Sequence, residues 1–480
     1  MLVKRKKIAA VCTALLLLFS VTGCGGSHKN ENIYFELNDL PETLDPQTAS
    51  TDSELLIVKN LYEGLLRKTA DGKIVGGVAE DYTVDGLTYT FHLRKDAHWF
   101  TGEDLTAEDF VFGLKRALDP ATESPFAERL WAVGGVDAVD PHTLVIRLND
   151  TDEQFPETLT TSVCMPCQEK FFRDAGGKYG LSKEDVLCNG SYYLSKWDRE
   201  NFGVRLYRNA EYSGKVPAEN AAVFFSHSTE TTPLERLQKG TVDLAFLSGN
   251  DVTAARENGI GIAACEDTCY VLTVGTAFRG DIGNALAMMI DPSVYESQLP
   301  PDCRVADSLL PALFDPLGVQ KIGRPIGYDP ETAKNLFARG IAKVKDQHFP
   351  QTTLYYYGDD VKELVTAIVG HWQSGLSAFI NIEPVSSIEK LLPQLKSQTL
   401  PLTFFPVKAN GTSLREYLLQ FGVDIHAVTP ENAQQNILSG NRIIPIAFGS
   451  TSVGYTDVFR NFSIADGTGY VDFAPLIKKG

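Results

Sequence analysis

Apolar positions recur along this chain in two alternating rhythms. Val58, Leu61, Tyr62, Leu65 and Leu66 fall at helical spacing. Thr51 and Glu54 ahead of them form a capping box, which predicts the helix start. Leu87, Tyr89, Phe91 and Leu93 then alternate with other residues behind Asp85-Gly86, so a hairpin turn into a half-buried strand is predicted. Thr106 and Asp109 repeat the capping pattern before Phe110, Leu114 and Leu118, and Asp119-Pro120 ends that helix. Leu144, Ile146 and Leu148 alternate, as do Val204 and Leu206.

The second half carries more helix. Asp329-Pro330 supplies a cap and a first-turn proline ahead of Ala333, Leu336 and Phe337. Val361, Leu364, Val365, Ile368 and Trp372 mark an amphipathic helix that closes near Gly375. Asn381 to Val385 reads as the strand after it, and strand–helix–strand is the unit of a parallel sheet. Strands and helices alternate along the whole chain, which indicates a multi-lobed α/β protein.

The first residues follow another logic. Lys4, Arg5, Lys6 and Lys7 precede an apolar stretch from Ile8 to Val21, the layout of a secretory signal. A membrane span needs about 20 apolar residues, and this stretch is shorter. It ends in Val21-Thr22-Gly23-Cys24, which resembles a bacterial lipobox. The alternative is an ordinary signal with a chance cysteine. Gly25-Gly26-Ser27 argues against it, because a flexible tether suits an anchored body. Residues 1–23 are therefore expected to be removed, Cys24 to carry lipid and residues 24–30 to act as the tether. Acyl chains hold a protein on a membrane without spanning it.

Cleavage leaves 457 residues, enough for roughly three domain-sized units. The formal charge is −17, and losing the four cations of the signal leaves the rest near −21. Such a surface repels nucleic acid and anionic headgroups, so no nucleic-acid partner is expected. Six cysteines remain beyond Cys24: Cys164, Cys167, Cys188, Cys265, Cys269 and Cys303. An even number in an exported chain permits disulfides, and free thiols are equally compatible. Cys164 and Cys167 have redox-motif spacing, but nothing around them reads as a thioredoxin unit, so a structural role is favoured. Cys265 and Cys269, four apart in a strand, would sit about 13 Å apart, too far to pair with each other.

Catalytic signatures are missing: no HExxH, no phosphate loop and no GxSxG elbow. His92 and His98 straddle a strand end and read as surface or turn packing. Asp359-Asp360 reads as the cap of the following helix rather than an acid/base or metal pair. In Tyr355-Tyr356-Tyr357, half of the rings face a core if the run is a strand, and the others are candidates for lining a cleft. No enzyme, cofactor or metal site is expected.

The stretch from Leu44 to Pro120 carries a family resemblance. LDPQTASTDSELLIVKNLYEGLL, followed by GKIVGGVAEDYTVDGLTYTFHLRKDAHWFTGEDLTAEDFVFGLKRALDP, resembles the opening of the family 5 solute-binding proteins of ABC importers, the oligopeptide-, dipeptide- and nickel-binding group. Weaker echoes follow at Cys188–Tyr192 with Trp197, at Gly240 and Asp243, at Ala285–Asp291 and at Tyr328–Phe337. The resemblance implies a type II periplasmic-binding-protein fold: two hinged lobes plus an extra domain. Lobe I would combine residues 31–57, 190–273 and 441–480. The extra domain would cover 58–189 and lobe III 274–440. The implied role is capture of a short peptide or other small solute between the lobes, then delivery to an ABC permease and ATPase complex. The body would be lipid-anchored on the extracytoplasmic face of the cell membrane.

The chain departs from that pattern where peptide-binding members use an aspartate for the ligand's α-amino group. Aligned by its flanks, TLPLTFFPVKANGTSLREYLLQF puts Pro406, Val407 and Asn410 where the family has glycine, tryptophan and that aspartate, and Lys408 adds a cation. A Lys408 that faces the cleft disfavours a free ammonium. One that faces solvent, as lysines usually do, leaves the cleft unchanged. The stretch after Phe421 is also short, which suggests a trimmed lobe III. The first ligand-facing loop would be Ala49–Asp52, so Ser50, Thr51 and Asp52 join Tyr355, Phe405, Lys408 and Asn410 as candidate ligand contacts. Capture of a metal chelate, or a sensor or surface-interaction role without transport, are the alternatives.

Overall fold

A computed structural model describes residues 32–480 apart from 70–71, 202, 279, 345, 388–401, 410, 412, 423–427, 440–441, 457–458, 461, 463, 465–470 and 479–480. The signal, Cys24 and the tether lie outside the described residues. The chain enters on β1 (Asn32–Glu36) and α1 (Asp52–Leu61). The predicted capping box is formed at α1: the Thr51 side chain accepts from Glu54 N, and the Glu54 carboxylate accepts from Thr51 N. That carboxylate also takes the amides of Ser50, Glu42 and Thr43, so one buried side chain shapes the whole approach to the helix.

Next come β2 (Ala79–Asp85) and β3 (Thr88–Leu93), α2 (Ala107–Leu118), and β4 (Val133–Asp140) and β5 (Thr143–Leu148). They form a four-stranded sheet in the order β2-β3-β5-β4. Gly86, at φ 58°, makes the predicted turn between β2 and β3. The chain then runs through β6 (Tyr192–Asp198), β7 (Gly203–Arg208), β8 (Ala222–Ser226), β9 (Leu244–Leu247) and β10 (Gly261–Val274). Helices α3 (Asp281–Met288) and α4 (Pro330–Ile341) follow, then β11 (Thr352–Tyr356), α5 (Lys362–Leu376) and β12 (Ile380–Pro384). The last elements used here are β13 (Leu402–Lys408), α6 (Leu414–Leu419), α7 (Pro430–Leu438) and β14 (Ile443–Tyr455).

One strand path joins the lobes: β12-β11-β13-β10-β14-β9-β1-β8-β7-β6. β10 and β14 run antiparallel along nearly their full length. At one end β14 pairs with β9, which leads into the first lobe. At the other end β10 pairs with β13, which leads into the second. Their register shifts between Glu266 and Thr268, midway between the lobes. β11 and β12 are parallel with α5 between them, as the strand–helix–strand pattern predicts.

The first lobe and the four-stranded sheet share one apolar core, with Phe35, Leu56, Phe91, Phe110, Ile146 and Leu206 all buried. The second lobe packs a core on each side of its sheet. Leu286, Leu364, Trp372 and Phe404 lie on one side, and Val271, Phe405, Val407, Tyr417 and Leu418 on the other.

The motifs of the Leu44–Pro120 stretch bind one another. Asp45 grips Arg116 through two contacts of 2.6 and 3.2 Å, and Gln47 adds a third at 2.7 Å. Glu63 pairs with Arg94 at 2.9 Å, both nearly sealed from water. Trp99 Nε1 donates to Asp109 at 3.3 Å. Asn189 exchanges two hydrogen bonds with the Glu63 backbone, which joins the Cys188–Tyr192 echo to the same network.

Three expectations are corrected. α5 closes at Ser377, which takes the left-handed conformation at φ 57°, two residues beyond Gly375. Gly375 lies inside the helix, packed against the flexible end of Met289. Asp359 and Asp360 form a 3-10 turn leading into α5 and make no side-chain cap bond. The short stretch after Phe421 still holds a helix, α7, before β14. Between the two alternatives left open for the six cysteines beyond Cys24, the structure has free thiols. Burial pushes the Cys164 thiol up to about 12 and the Cys167 thiol to about 11, the opposite of a reactive redox pair.

Candidate ligand cleft

The crossing of β10 and β14 centres on a residue that the sequence did not single out. Asp267 falls in the register shift and is fully buried. Its carboxylate accepts from Thr268 Oγ1 at 2.8 Å and from Thr451 Oγ1 at 2.5 Å. Its backbone oxygen accepts from Ala409 N at 2.9 Å. Burial raises this carboxyl to about 6, against the pull of Lys408 and both hydroxyls.

Lys408 is the last residue of β13, in register with Thr268. Its ammonium donates to Asp52 Oδ2 at 2.6 Å. The two side chains are only 29% and 33% exposed, so the pair is recessed rather than a freely solvated surface contact. Burial alone would lower the lysine, but Asp52 and then Asp267 outweigh it and hold it above its ordinary value. Asp52 opens α1, where the helix dipole favours a carboxylate. The ion pair therefore joins the second lobe to the first across the hinge.

A second crossing lies close by in sequence. Glu416 on α6 accepts from Arg129 Nε at 2.6 Å and from Nη2 at 3.1 Å. Arg129 belongs to a short 3-10 helix, Ala127–Leu130, beside the four-stranded sheet. Arg415 donates to Glu128 O at 3.0 Å, and its guanidinium lies 4.7 Å from the Trp131 ring centre. These charges are almost three hundred residues apart in the chain, and no local pattern signals them.

Of the sequence candidates, Asp52 and Lys408 are brought together. Thr51 is beside them as the α1 cap, and Ser50 is exposed. Tyr355 is half-buried on β11, opposite Thr403, which lies about 17 Å along β13 from Lys408. Phe405 is buried in the core formed with Tyr417 and Leu418, so its ring fills the interior rather than an open cleft. Asn410 lies outside the described residues. A separate cavity of about 50 Å³, lined by Lys59, Glu63, Arg67 and Tyr212 among others, has room for a few waters and not for a peptide. Among the described residues no group of three or more side chains is placed to hold a metal, and no helix is long and apolar enough to cross a membrane.

Comparison with known proteins gives a consistent picture. The family described as bacterial extracellular solute-binding proteins, family 5 Middle, matches residues 73–423. The oligopeptide-binding protein SarA of Streptococcus gordonii is 26% identical over 412 residues, covering 72% of this chain and 61% of the relative. The dipeptide-binding protein of Lactococcus lactis is 26% identical over 389 residues, covering 71% and 70%. The chain thus spans less than two thirds of the first of these relatives. The solved structure of Haemophilus influenzae OppA in complex with RPPGFSPFR superposes with a TM-score of 0.74 at 18% identity, over 94% of this chain and 99% of that one. At that identity the likeness speaks for the fold: a two-lobed type II binding protein.

Proposed function

The chain belongs to the bacterial extracellular solute-binding proteins, family 5, and from that premise we propose that it captures short peptides between its lobes and delivers them to an ABC permease. Cys24 would carry the lipid that holds the body on the extracytoplasmic face of the membrane. The first lobe would comprise residues 31–57, 190–273 and 441–480, the extra domain 58–189, and the other lobe 274–440. The named relatives that support the peptide reading are binding proteins, not enzymes.

The observation that carries the ligand preference is the Lys408–Asp52 pair. The chain's own ammonium occupies the recessed carboxylate at the lobe junction, with buried Asp267 behind it. A ligand ammonium brought to the same place would meet a like charge. Neutral or anionic ligand ends, as in N-blocked or acidic peptides, fit this arrangement. Ser50 and Tyr355 are proposed as further contacts, with Asn410, two positions beyond Lys408 in the sequence.

The test is thermal unfolding of the body, from Ser27 onward, with separate pools of peptides, nickel chelates and sugars. A ligand that binds the native state must raise the melting temperature. The reading expects a rise with peptides alone. A rise only with chelates or sugars, or none with any peptide pool, contradicts it.

A further inference from the structure

We infer that the side chains of Lys408, Arg415 and Glu416 form an internal clasp that holds the lobes closed when no ligand is present. The inference rests on the binding-protein reading only for the meaning of closure. Its observations are three side chains of one short segment, each reaching a part of the chain outside the second lobe. Lys408 reaches Asp52 at the start of α1. Arg415 reaches the Glu128 backbone and the face of Trp131. Glu416 takes Arg129 through two parallel contacts.

The segment is pinned to its own lobe from behind. Gln420 donates to Lys408 O at 2.9 Å. The Ser413 hydroxyl caps α6. Tyr417 Oη donates to Leu309 O at 2.8 Å from inside the core. Side chains anchored on one lobe and bonded to the other transmit force between them.

Solvent exposure decides how much these contacts count. Arg129 and Glu416 expose 7% and 18% of their side chains, so salt screens them far less than an open surface pair. Two-pronged Arg–carboxylate contacts are among the stronger hydrogen bonds. A contact made only in the closed form shifts the equilibrium toward that form by its full free energy. In most hinged receptors the ligand supplies such bridging contacts, whereas here the chain supplies its own. The recessed carboxylate that a ligand cation would have neutralised is already matched. Closure is thereby separated from ligand charge, and the unliganded body rests closed.

The first comparison needs no ligand, and the second adds the peptide pool that raises the melting temperature. Small-angle scattering of the body from Ser27 onward, which holds every described element, reports its radius of gyration. Wild type is expected to be compact, with no further contraction when a binding solute is added. The double variant Lys408→Met, Glu416→Gln should expand measurably while keeping its far-ultraviolet circular dichroism. Asp281→Asn breaks the Arg339 and Lys343 contacts inside the second lobe and should leave the radius unchanged. If the double variant fails to fold, Lys408→Met and Glu416→Gln made singly carry the same comparison, each expected to expand. An equal radius for wild type and clasp variants without ligand would overturn the inference. So would a wild type that contracts on binding as much as the variants do. Failure of the peptide reading would show in the melting experiment and leave these radii as they are.

Discussion

The Leu44–Pro120 stretch and the Leu402–Phe421 stretch both align with the family pattern, and they teach opposite lessons. In the first, nearly every motif residue is spent on another motif residue. Asp45 holds Arg116, Glu63 holds Arg94, and Asp109 receives Trp99. That is a scaffold, with these charges buried against their partners. In the second, Phe404, Phe405 and Val407 are core, while Lys408, Arg415 and Glu416 reach across to other parts of the chain. Where the pattern holds, the sequence reports architecture. Where it breaks, the chain has exchanged one set of long-range contacts for another.

The largest expected effect belongs to the scaffold. Asp45→Ala leaves the Arg116 guanidinium buried without its carboxylate, which costs about 3–5 kcal/mol. Chemical denaturation should show a lowered midpoint with the same slope. A loss below about 1 kcal/mol would mean that the network is not what holds the two parts together.

Next is the hinge. Asp267 has a folded value of about 6, above its ordinary 3.8. The folded state therefore prefers the protonated carboxyl. Its contribution is fully present below about pH 4 and is lost as pH rises through 6, by roughly 3 kcal/mol. Asp267→Asn removes this dependence. Wild type should lose stability relative to the variant between pH 4 and 7, and parallel melting curves across that range would refute the assignment.

Smaller still is the α1 cap. Thr51→Ala should cost about 1 kcal/mol through the lost bond to Glu54 N, with Ser50→Ala near zero. Equal losses at both positions would move Thr51 from the scaffold to the exposed surface. Lys408→Met should change stability by less than about 1 kcal/mol, because its pair is partly exposed. Its effect belongs to closure and ligand choice instead.

This gradation matches what was legible in the sequence. The capping boxes at Thr51 and Thr106, the Asp85-Gly86 hairpin and the Asp329-Pro330 helix start are local devices, and all four stand in the structure. The α5 stop lies two residues beyond Gly375 because Ser377 takes the left-handed conformation that the glycine is expected to supply. Phe405, a cleft candidate in the sequence, is core instead. β13 is covered on both sides, so neighbouring Phe404 and Phe405 are buried in different cores. Asp267 had only a faint signal, an acid following Glu266 in an otherwise half-apolar strand. The Asp52–Lys408 and Arg129–Glu416 contacts join residues that only the folded topology brings together.

The central claim is that the cleft takes peptides while its recessed carboxylate is reserved for Lys408. Calorimetric titration of one peptide in free and N-acetylated forms, against wild type and Lys408→Met, tests it most directly. The account predicts that wild type binds the acetylated form at least as tightly as the free one. It also predicts that Lys408→Met gains about tenfold for the free amine, equivalent to about 1.4 kcal/mol. A wild type that prefers the free amine, with no change on replacing Lys408, would contradict the account.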